Sequence, residues 1–211
     1  MIVCCATGPS ISRQQVEAAR RKGFRLFVCN SAYQLAHDAE LLYAVNLAFW
    51  DHYWPMIKGL PCEKWTTTRA AADRYGINWI AERNAPGLSG DPSVVHHGHG
   101  SGYTLVSMAA RAGAKRIALL GYDLKYAPDY DGLARRCGST PRHSLELLAG
   151  GEYPATMQHW PSVQVREGVH VGLVSLYKSV RDQGLVELIN ATPNSALEQV
   201  LGYTPIGDIQ C

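Results

Sequence analysis

The sequence predicts a single α/β domain built on a mostly parallel β-sheet. Short apolar runs alternate with amphipathic helical segments along most of the chain, which is the pattern of strands joined by crossover helices. Turn residues follow the apolar runs, and the length of 211 residues suits one domain. These observations are typical of a Rossmann-like, doubly wound sheet, and we expect one such domain over residues 1–211.

Composition excludes several other classes of protein. Apolar residues make up 46% of the chain and charged residues 18%, which excludes intrinsic disorder. The net charge of +2 is too small for a strongly basic nucleic-acid binder. No apolar stretch reaches the roughly 18 residues of a membrane-spanning helix, so we expect no membrane contact.

The cysteines favour a reduced, cytoplasmic protein. None of the six has a partner at CxxC spacing, and Cys4 and Cys29 lie in apolar runs where the thiol behaves as a small hydrophobe. The first residues also lack the basic region of a secretory leader.

The amino-terminal half alternates strands with helices. Ser12 is a suitable cap for a helix beginning at Arg13, and Gly23 ends that helix. We expect strands at residues 1–6, 25–29, 41–45, 64–67 and 77–81, and helices at residues 13–22, 47–57 and 69–75.

Two long segments rich in turn residues interrupt the carboxyl-terminal half. Residues 84–102 are rich in Gly, Pro and His, and loops of this length are usually functional or disordered. Residues 122–168 show little periodicity, and we interpret them as a lid or insertion. Around them we expect helices at residues 103–112, 169–182 and 195–201, and strands at residues 115–121 and 185–190.

Candidate ligand-binding residues follow the strands, because doubly wound sheets bind ligands beyond the carboxyl ends of their strands. Gly8 lets the backbone approach a ligand closely, and Ser101 adds a hydroxyl donor at the start of a helix, where free N–H groups attract phosphate. The alternatives are a plain turn and an ordinary helix cap. The candidates are Thr7, Gly8, Pro9, Ser10, Asn30, Ser31, Asn46, Gly100, Ser101, Gly102, Tyr122 and Asn194.

Histidines and a carboxylate supply the candidate catalytic groups. His170 and His159 are candidate general bases, and a helix beginning at His170 would favour its neutral, basic form. Asp123 ends a strand and is the strongest single carboxylate. A structural role is the alternative for each of them.

Three further patterns each allow two interpretations. His96, His97 and His99 suit a ligand contact better than a metal site, for which no completing ligand lies nearby. Asp129 and Asp131 have the DxD form of divalent-metal sites but also suit a solvated turn. The aromatic residues 50–54 could stack on a base or form a core stripe.

Taken in chain order, five motifs resemble those of the bacterial lipooligosaccharide sialyltransferases. A group of phage-encoded Rossmann-like proteins is also similar, sharing the elements at residues 30–33, 50–53 and 119–123. The five motifs are Thr7-Gly8-Pro9-Ser10, Cys29-Asn30-Ser31, Ser101-Gly102, Gly121-Tyr122-Asp123 and Pro193-Asn194-Ser195.

The resemblance implies a glycosyltransferase of a GT-A-like variant that takes a CMP-, UDP- or GDP-linked sugar. It implies that tyrosines after Gly-x-Asp stabilise the leaving phosphate, and Tyr126 and Tyr130 lie close to those positions. It also implies a histidine base before a late helix, which matches His170 with His159 as the second choice. The family's first-loop Asn is Thr7 in this chain.

The acceptor is a hydroxyl, and the phage resemblance makes a hydroxymethylated pyrimidine in DNA one candidate, in the host cytoplasm. Two rival hypotheses remain. One is an ATP- and Mg²⁺-dependent pyrophosphokinase of the hydroxymethyl-pterin type, and the other is a non-catalytic nucleotide-binding module. We assign no metal ligand, and metal dependence and oligomeric state stay open.

Overall fold

The computed structural model describes residues 1–8, 10–98, 100–124, 165–166 and 169–210, with the backbone alone for 165–166 and 169–171. The strands are β1 (Ile2–Cys5), β2 (Arg25–Cys29), β3 (Leu41–Tyr43), β4 (Glu63–Thr66), β5 (Asn78–Trp79), β6 (Ala81–Asn84), β7 (Val94–His97), β8 (Arg116–Leu120), β9 (Val165–Arg166), β10 (Val169–His170) and β11 (Glu187–Asn190). The helices are α1 (Arg13–Arg21), α2 (Leu47–Ile57), α3 (Arg69–Tyr75), α4 (Ser101–Arg111), α5 (Val171–Gln183) and α6 (Glu198–Leu201), with a 3₁₀ turn at Asn30–Gln34.

Seven parallel strands form the central sheet in the order β11-β8-β1-β2-β3-β4-β5. β1 pairs on one side with β2, the next strand in the chain, and on the other with the much later β8. The winding therefore changes direction at β1, and the switch point lies between β1 and β8. The predicted Rossmann-like α/β class is confirmed.

Helices cover both faces of this sheet, and the strand residues alternate between two cores. Val3 and Cys5 belong to the core under α1, α2 and α3, whereas Ile2 and Cys4 belong to the core under α4 and α5. The four residues of β1 are at most 1% exposed. Burial on both faces explains why this strand is a continuous apolar run instead of an alternating one.

The amino-terminal helices begin where the sequence predicts. Ser12 caps α1 with a reciprocal capping box, because its hydroxyl accepts from the Gln15 N–H while the Gln15 side chain accepts from the Ser12 N–H. The observed bounds of α2 and α3 equal the predicted ones.

The prediction of an unbroken loop over residues 84–102 is wrong. β7 lies inside it and pairs with β6 in a separate two-stranded parallel sheet. β6 is largely exposed and carries Glu82, Arg83 and Asn84, so it shows no alternation of apolar residues that would reveal a strand.

The predicted helix start at residue 169 is also wrong. Val169–His170 pairs with Val165–Arg166 as a short antiparallel ribbon, and α5 begins at Val171. β-branched valines beside His170 favour this extended backbone over the first turn of a helix.

Most of the predicted lid, residues 122–168, lies outside the described residues, as do Asp129 and Asp131. The single-domain boundary and the lid stay predictions. In the described part of the chain, no helix combines the length and the apolar character needed to cross a membrane.

The aromatic segment of α2 is core. Trp50 is fully buried and its Nε1–H donates to the Ala44 carbonyl over 3.1 Å, while Tyr53 packs against Phe49. The base-stacking interpretation is therefore wrong for Trp50 and Tyr53.

Burial of the strand cysteines predicts a loss of stability at alkaline pH. It raises the pKa of the Cys5 thiol from about 9 to about 12. The unfolded chain releases this proton near pH 9 while the folded chain retains it, so the contribution of Cys5 is complete below pH 9 and falls toward pH 12.

We expect Cys5→Ala to reduce the alkaline slope of the free energy of unfolding by about 1.4 kcal/mol per pH unit. Urea unfolding of both proteins between pH 8 and pH 10.5 measures the two slopes. Equal slopes in the two proteins would contradict the raised pKa of Cys5.

Candidate functional site

The loop after β1 lies directly against the loop after β8. The Ala6 N–H donates to the Leu120 carbonyl over 2.8 Å, and the Gly8 N–H donates to the Gly121 carbonyl over 2.9 Å. These bonds extend the β1–β8 pairing past the end of the strands. The two loops therefore form one wall at the switch point of the sheet, the place where doubly wound sheets bind ligands.

Gly8 and Asp123 are in close contact at this point. A Cβ on Gly8 would overlap the Asp123 carboxylate and the Gly121 carbonyl, so residue 8 must be glycine in this arrangement. The carboxylate Oδ2 accepts from the Ser10 hydroxyl over 2.8 Å and lies 3.4 Å from the Ser10 nitrogen. Asp123 is 6% exposed and holds the first loop in place.

Gly121 meets two separate requirements. Its φ of +73° lies in the left-handed region that favours glycine, and a Cβ there would lie 2.5 Å from the Ala6 carbonyl oxygen. The backbone turn that places Tyr122 and Asp123 beside the first loop therefore requires glycine at position 121.

The start of α4 forms the next part of the site. Gly100 is the N-cap and makes no side-chain capping bond, and the half-buried Ser101 opens the helix. A Cβ on Gly102 would lie 2.9 Å from the Tyr122 ring, whose hydroxyl donates to the Gly102 carbonyl over 3.0 Å. The first turn of α4 is thus fixed against the loop after β8.

The loop after β11 makes hydrogen bonds to the loop after β8. The Thr192 hydroxyl accepts from the Tyr122 N–H over 3.0 Å and donates to the Leu119 carbonyl over 2.9 Å. The Ser195 hydroxyl donates to the Tyr122 carbonyl. Asn194 is exposed at φ +54° between these two supports. Sequence reasoning named Asn194 but missed Thr192, whose only signal was its position after a strand.

Three other predicted residues follow β2 and β3 along the same edge. Asn30 is 6% exposed at φ +48°, and the Ser31 hydroxyl is buried without a hydrogen-bond partner among the described residues. Asn46 is the half-buried N-cap of α2. Since all seven strands are parallel, these side chains share the edge that carries Gly8 and Asp123.

Tyr122 differs from its prediction as a donor-binding residue. Its side chain is 2% exposed and its hydroxyl already donates to Gly102. Burial raises its pKa well above the ordinary value. The structure gives Tyr122 a supporting position inside the wall.

Several predicted residues lie outside the description. Pro9, Tyr126, Tyr130 and His159 are not among the described residues. His170 is described by its backbone alone, directly before α5. Their roles stay predictions.

Two histidines of the HHxH segment lie in an extended strand. His96 and His97 are consecutive residues of β7, which directs their side chains to opposite faces. The His96 Nδ1 lies 3.0 Å from the Gly87 carbonyl oxygen. His99 is outside the described residues, within which no group of three metal-ligating side chains occurs.

An exposed cation–aromatic pair, missed by sequence reasoning, lies at the far end of the same edge. The Arg69 guanidinium carbon is 3.9 Å from the centroid of the Trp79 ring, and the Trp79 Nε1–H donates to the Thr67 carbonyl over 3.0 Å. Trp79 is 37% exposed. Within the described ranges no carboxylate pairs with Arg69, in contrast to Arg74, which pairs with Asp51.

Hydrogen bonds connect this pair to α4. The Thr67 hydroxyl lies 3.2 Å from the Tyr43 hydroxyl. Burial raises the pKa of Tyr43, and hydrogen bonding from the side chains of Thr67 and of Thr104, one turn after Ser101, opposes that rise. The Arg69–Trp79 pair and the start of α4 therefore belong to one connected edge.

Comparison with known proteins gives matches among solved structures alone: no family model and no curated protein matches the chain. The sialyltransferase CstII from Campylobacter jejuni, in complex with cytidine-5'-monophosphate, aligns with a TM-score of 0.56 at 15% identity, covering 100% of this chain and 87% of that one. CST-II in complex with a trisaccharide acceptor and CMP aligns at 0.52 and 15% identity, covering 100% and 89%.

The chain shares the fold of these sialyltransferases. The complex of CstII with the substrate analogue CMP-3FNeuAc also aligns, at a TM-score of 0.53 and 14% identity, over 100% of this chain and 88% of that one. At these identities the likeness establishes the fold, and the activity has to be argued from the site.

The contact between Gly8 and Asp123 predicts a sharp steric effect. We expect Gly8→Ala to displace the Asp123 carboxylate and to lower the free energy of unfolding by about 1–3 kcal/mol, measured by urea denaturation. Gly59→Ala is the control, because a Cβ there has no atom within 4 Å. Equal free energies of unfolding in the two variants would contradict the steric argument.

Proposed function

We propose that the chain transfers a sugar from a nucleotide-activated donor to an acceptor hydroxyl. The observation that carries this proposal is the wall at the switch point, where hydrogen bonds hold together the Gly8 loop, the turn at Asp123 and the start of α4. The fold shared with sialyltransferases crystallised with CMP and CMP-3FNeuAc supports a CMP-linked donor over UDP or GDP.

The donor phosphate is proposed to lie over the start of α4. The N–H groups of Ser101 and Gly102, the first two residues of α4, have no carbonyl one turn earlier in the helix, whereas the Tyr103 N–H donates to the Gly100 carbonyl. The helix dipole favours an anion at this point. Ser101 adds a hydroxyl donor at the same point. Asn30, Ser31 and Asn46 follow along the edge and are proposed to bind the nucleoside part of the donor.

Sugar transfer of this kind breaks the bond between the sugar and the phosphate as the acceptor oxygen attacks. The leaving phosphate gains negative charge, which the α4 N–H groups and Ser101 stabilise. Tyr126 or Tyr130 is proposed to add a hydrogen bond, and His170, or else His159, to take the acceptor proton. Asp123 is proposed to act by holding the first loop.

The acceptor side is proposed to extend toward Arg69 and Trp79. An indole face stacks on a sugar ring or a base, and an unpaired guanidinium binds an oxyanion. Two acceptor classes carry the required hydroxyl: a hydroxymethylated pyrimidine in DNA, from the phage resemblance, and a glycan, as in the CST-II complex.

The rival hypotheses differ in what they bind and release. A pyrophosphokinase consumes ATP with Mg²⁺, and a binding module releases nothing. Neither rival gains support from the sialyltransferase fold.

We expect the protein to release CMP from a CMP-linked sugar only when an acceptor is present. Chromatography measures CMP, and mass spectrometry measures the mass added to a glycan or to hydroxymethylated oligonucleotides. Parallel reactions with ATP and Mg²⁺ are the control. AMP formation with ATP, or CMP binding without transfer to either acceptor, would contradict the proposal.

Arg69→Ala is expected to raise the acceptor KM about tenfold, because one charge-assisted contact is lost, while the donor KM stays unchanged. Arg74→Ala is the matched control: it removes an arginine of the same helix that already pairs with Asp51. Steady-state kinetics with each substrate varied separately measures both constants. Equal acceptor KM values in the two variants would show that Arg69 does not contact the acceptor.

A further inference from the structure

Tyr122 links three segments of the wall: β8, the start of α4 and the loop after β11. Its own backbone continues from β8, its hydroxyl reaches the start of α4, and its N–H and carbonyl are bound by the loop after β11. Its hydroxyl, N–H and carbonyl each make a hydrogen bond to another of these segments.

The side-chain contact fixes the first turn of α4. The hydroxyl donates to the Gly102 carbonyl over 3.0 Å, and the ring fills the space that a Cβ on Gly102 would need. Gly102 is the second residue of α4. The hydroxyl therefore bonds to the peptide that follows Gly102 and ties the first turn of α4 to the loop after β8.

The backbone contacts fix Tyr122 itself. The Thr192 hydroxyl accepts from its N–H and the Ser195 hydroxyl donates to its carbonyl. The Ala196 N–H donates to the Asp123 carbonyl over 3.0 Å. The loop after β11 thus sets the position of both Tyr122 and Asp123.

We propose that Tyr122 is a positioning residue that orients the start of α4 for the donor phosphate without touching the donor. At 2% exposure its side chain lies inside the wall. The inference rests on the proposed function, because it concerns the affinity for the nucleotide-sugar donor. The Tyr122 hydroxyl would affect that affinity through its bond to the Gly102 carbonyl.

A neighbouring tyrosine supplies a matched control. Tyr103 is buried in the same aromatic cluster, and its hydroxyl donates to the Gly87 carbonyl over 2.9 Å. Both rings meet Tyr177 edge to face, with centroids 5.4 Å away for Tyr103 and 5.7 Å for Tyr122. Phenylalanine at either position removes one buried hydroxyl bond, but only Tyr122 bonds to the Gly102 carbonyl.

The test compares Tyr122→Phe with Tyr103→Phe. We expect Tyr122→Phe to weaken CMP binding and raise the donor KM about tenfold at unchanged kcat, since one orienting hydrogen bond is lost. Tyr103→Phe is expected to stay within about twofold of the unmodified chain in both constants. The urea midpoints of the two variants are expected to fall by similar amounts, which removes general destabilisation as the cause.

Equal CMP affinity in the two variants would overturn the inference while leaving the proposed function intact. Absence of CMP binding by the unmodified chain would instead overturn the proposed function. If Tyr122→Phe does not fold, Ser195→Ala removes the support of the Tyr122 carbonyl and is expected to raise the donor KM in the same direction. An unchanged donor KM in that variant would overturn the inference.

Discussion

The contact between the Gly8 loop and the Gly121–Asp123 turn is the constraint on which the rest of the site depends. Two backbone hydrogen bonds extend the β1–β8 pairing beyond the sheet, and Asp123 closes the contact by accepting from Ser10. Neither loop tolerates a Cβ at its closest point, so glycines at positions 8 and 121 are steric requirements. This contact fixes one wall at the switch point of the sheet. The start of α4 lies beside that wall.

Function follows from what this wall presents. A helix start and a serine hydroxyl offer hydrogen-bond donors, which suit a phosphate that gains charge as it leaves. Most of the groups that build the wall are already bonded to one another, as the Asp123, Tyr122, Thr192 and Ser195 contacts demonstrate. Such prior bonding keeps the donors aimed before the ligand arrives, so little ordering is required when it binds. The ligand that we propose for this wall is a nucleotide-linked sugar.

Much of this arrangement could be predicted from the sequence, because local signals report it directly. Ser12 with Gln15 marks the start of α1, apolar runs mark the strands, and polar residues after those runs mark the carboxyl edge of the sheet. The errors concern short strands with weak sequence signals: β7 pairs with the exposed β6, and β9 and β10 are two residues each. The bonds from Tyr122 to Gly102 and Thr192 join residues far apart in sequence, so no local pattern could have predicted that this side chain is buried and bonded within the wall.

The central claim is that the nucleotide phosphate binds at the carboxyl edge of the sheet, over the wall formed by the β1 and β8 loops. Titration of the ¹⁵N-labelled protein with CMP, followed by amide chemical shifts, tests it residue by residue. The account predicts the largest shifts at Gly8, Ser101 and Gly102, and none at Lys115 and Leu185 on the opposite edge of the sheet. Shifts confined to the opposite edge, or their absence at saturating CMP, would contradict it.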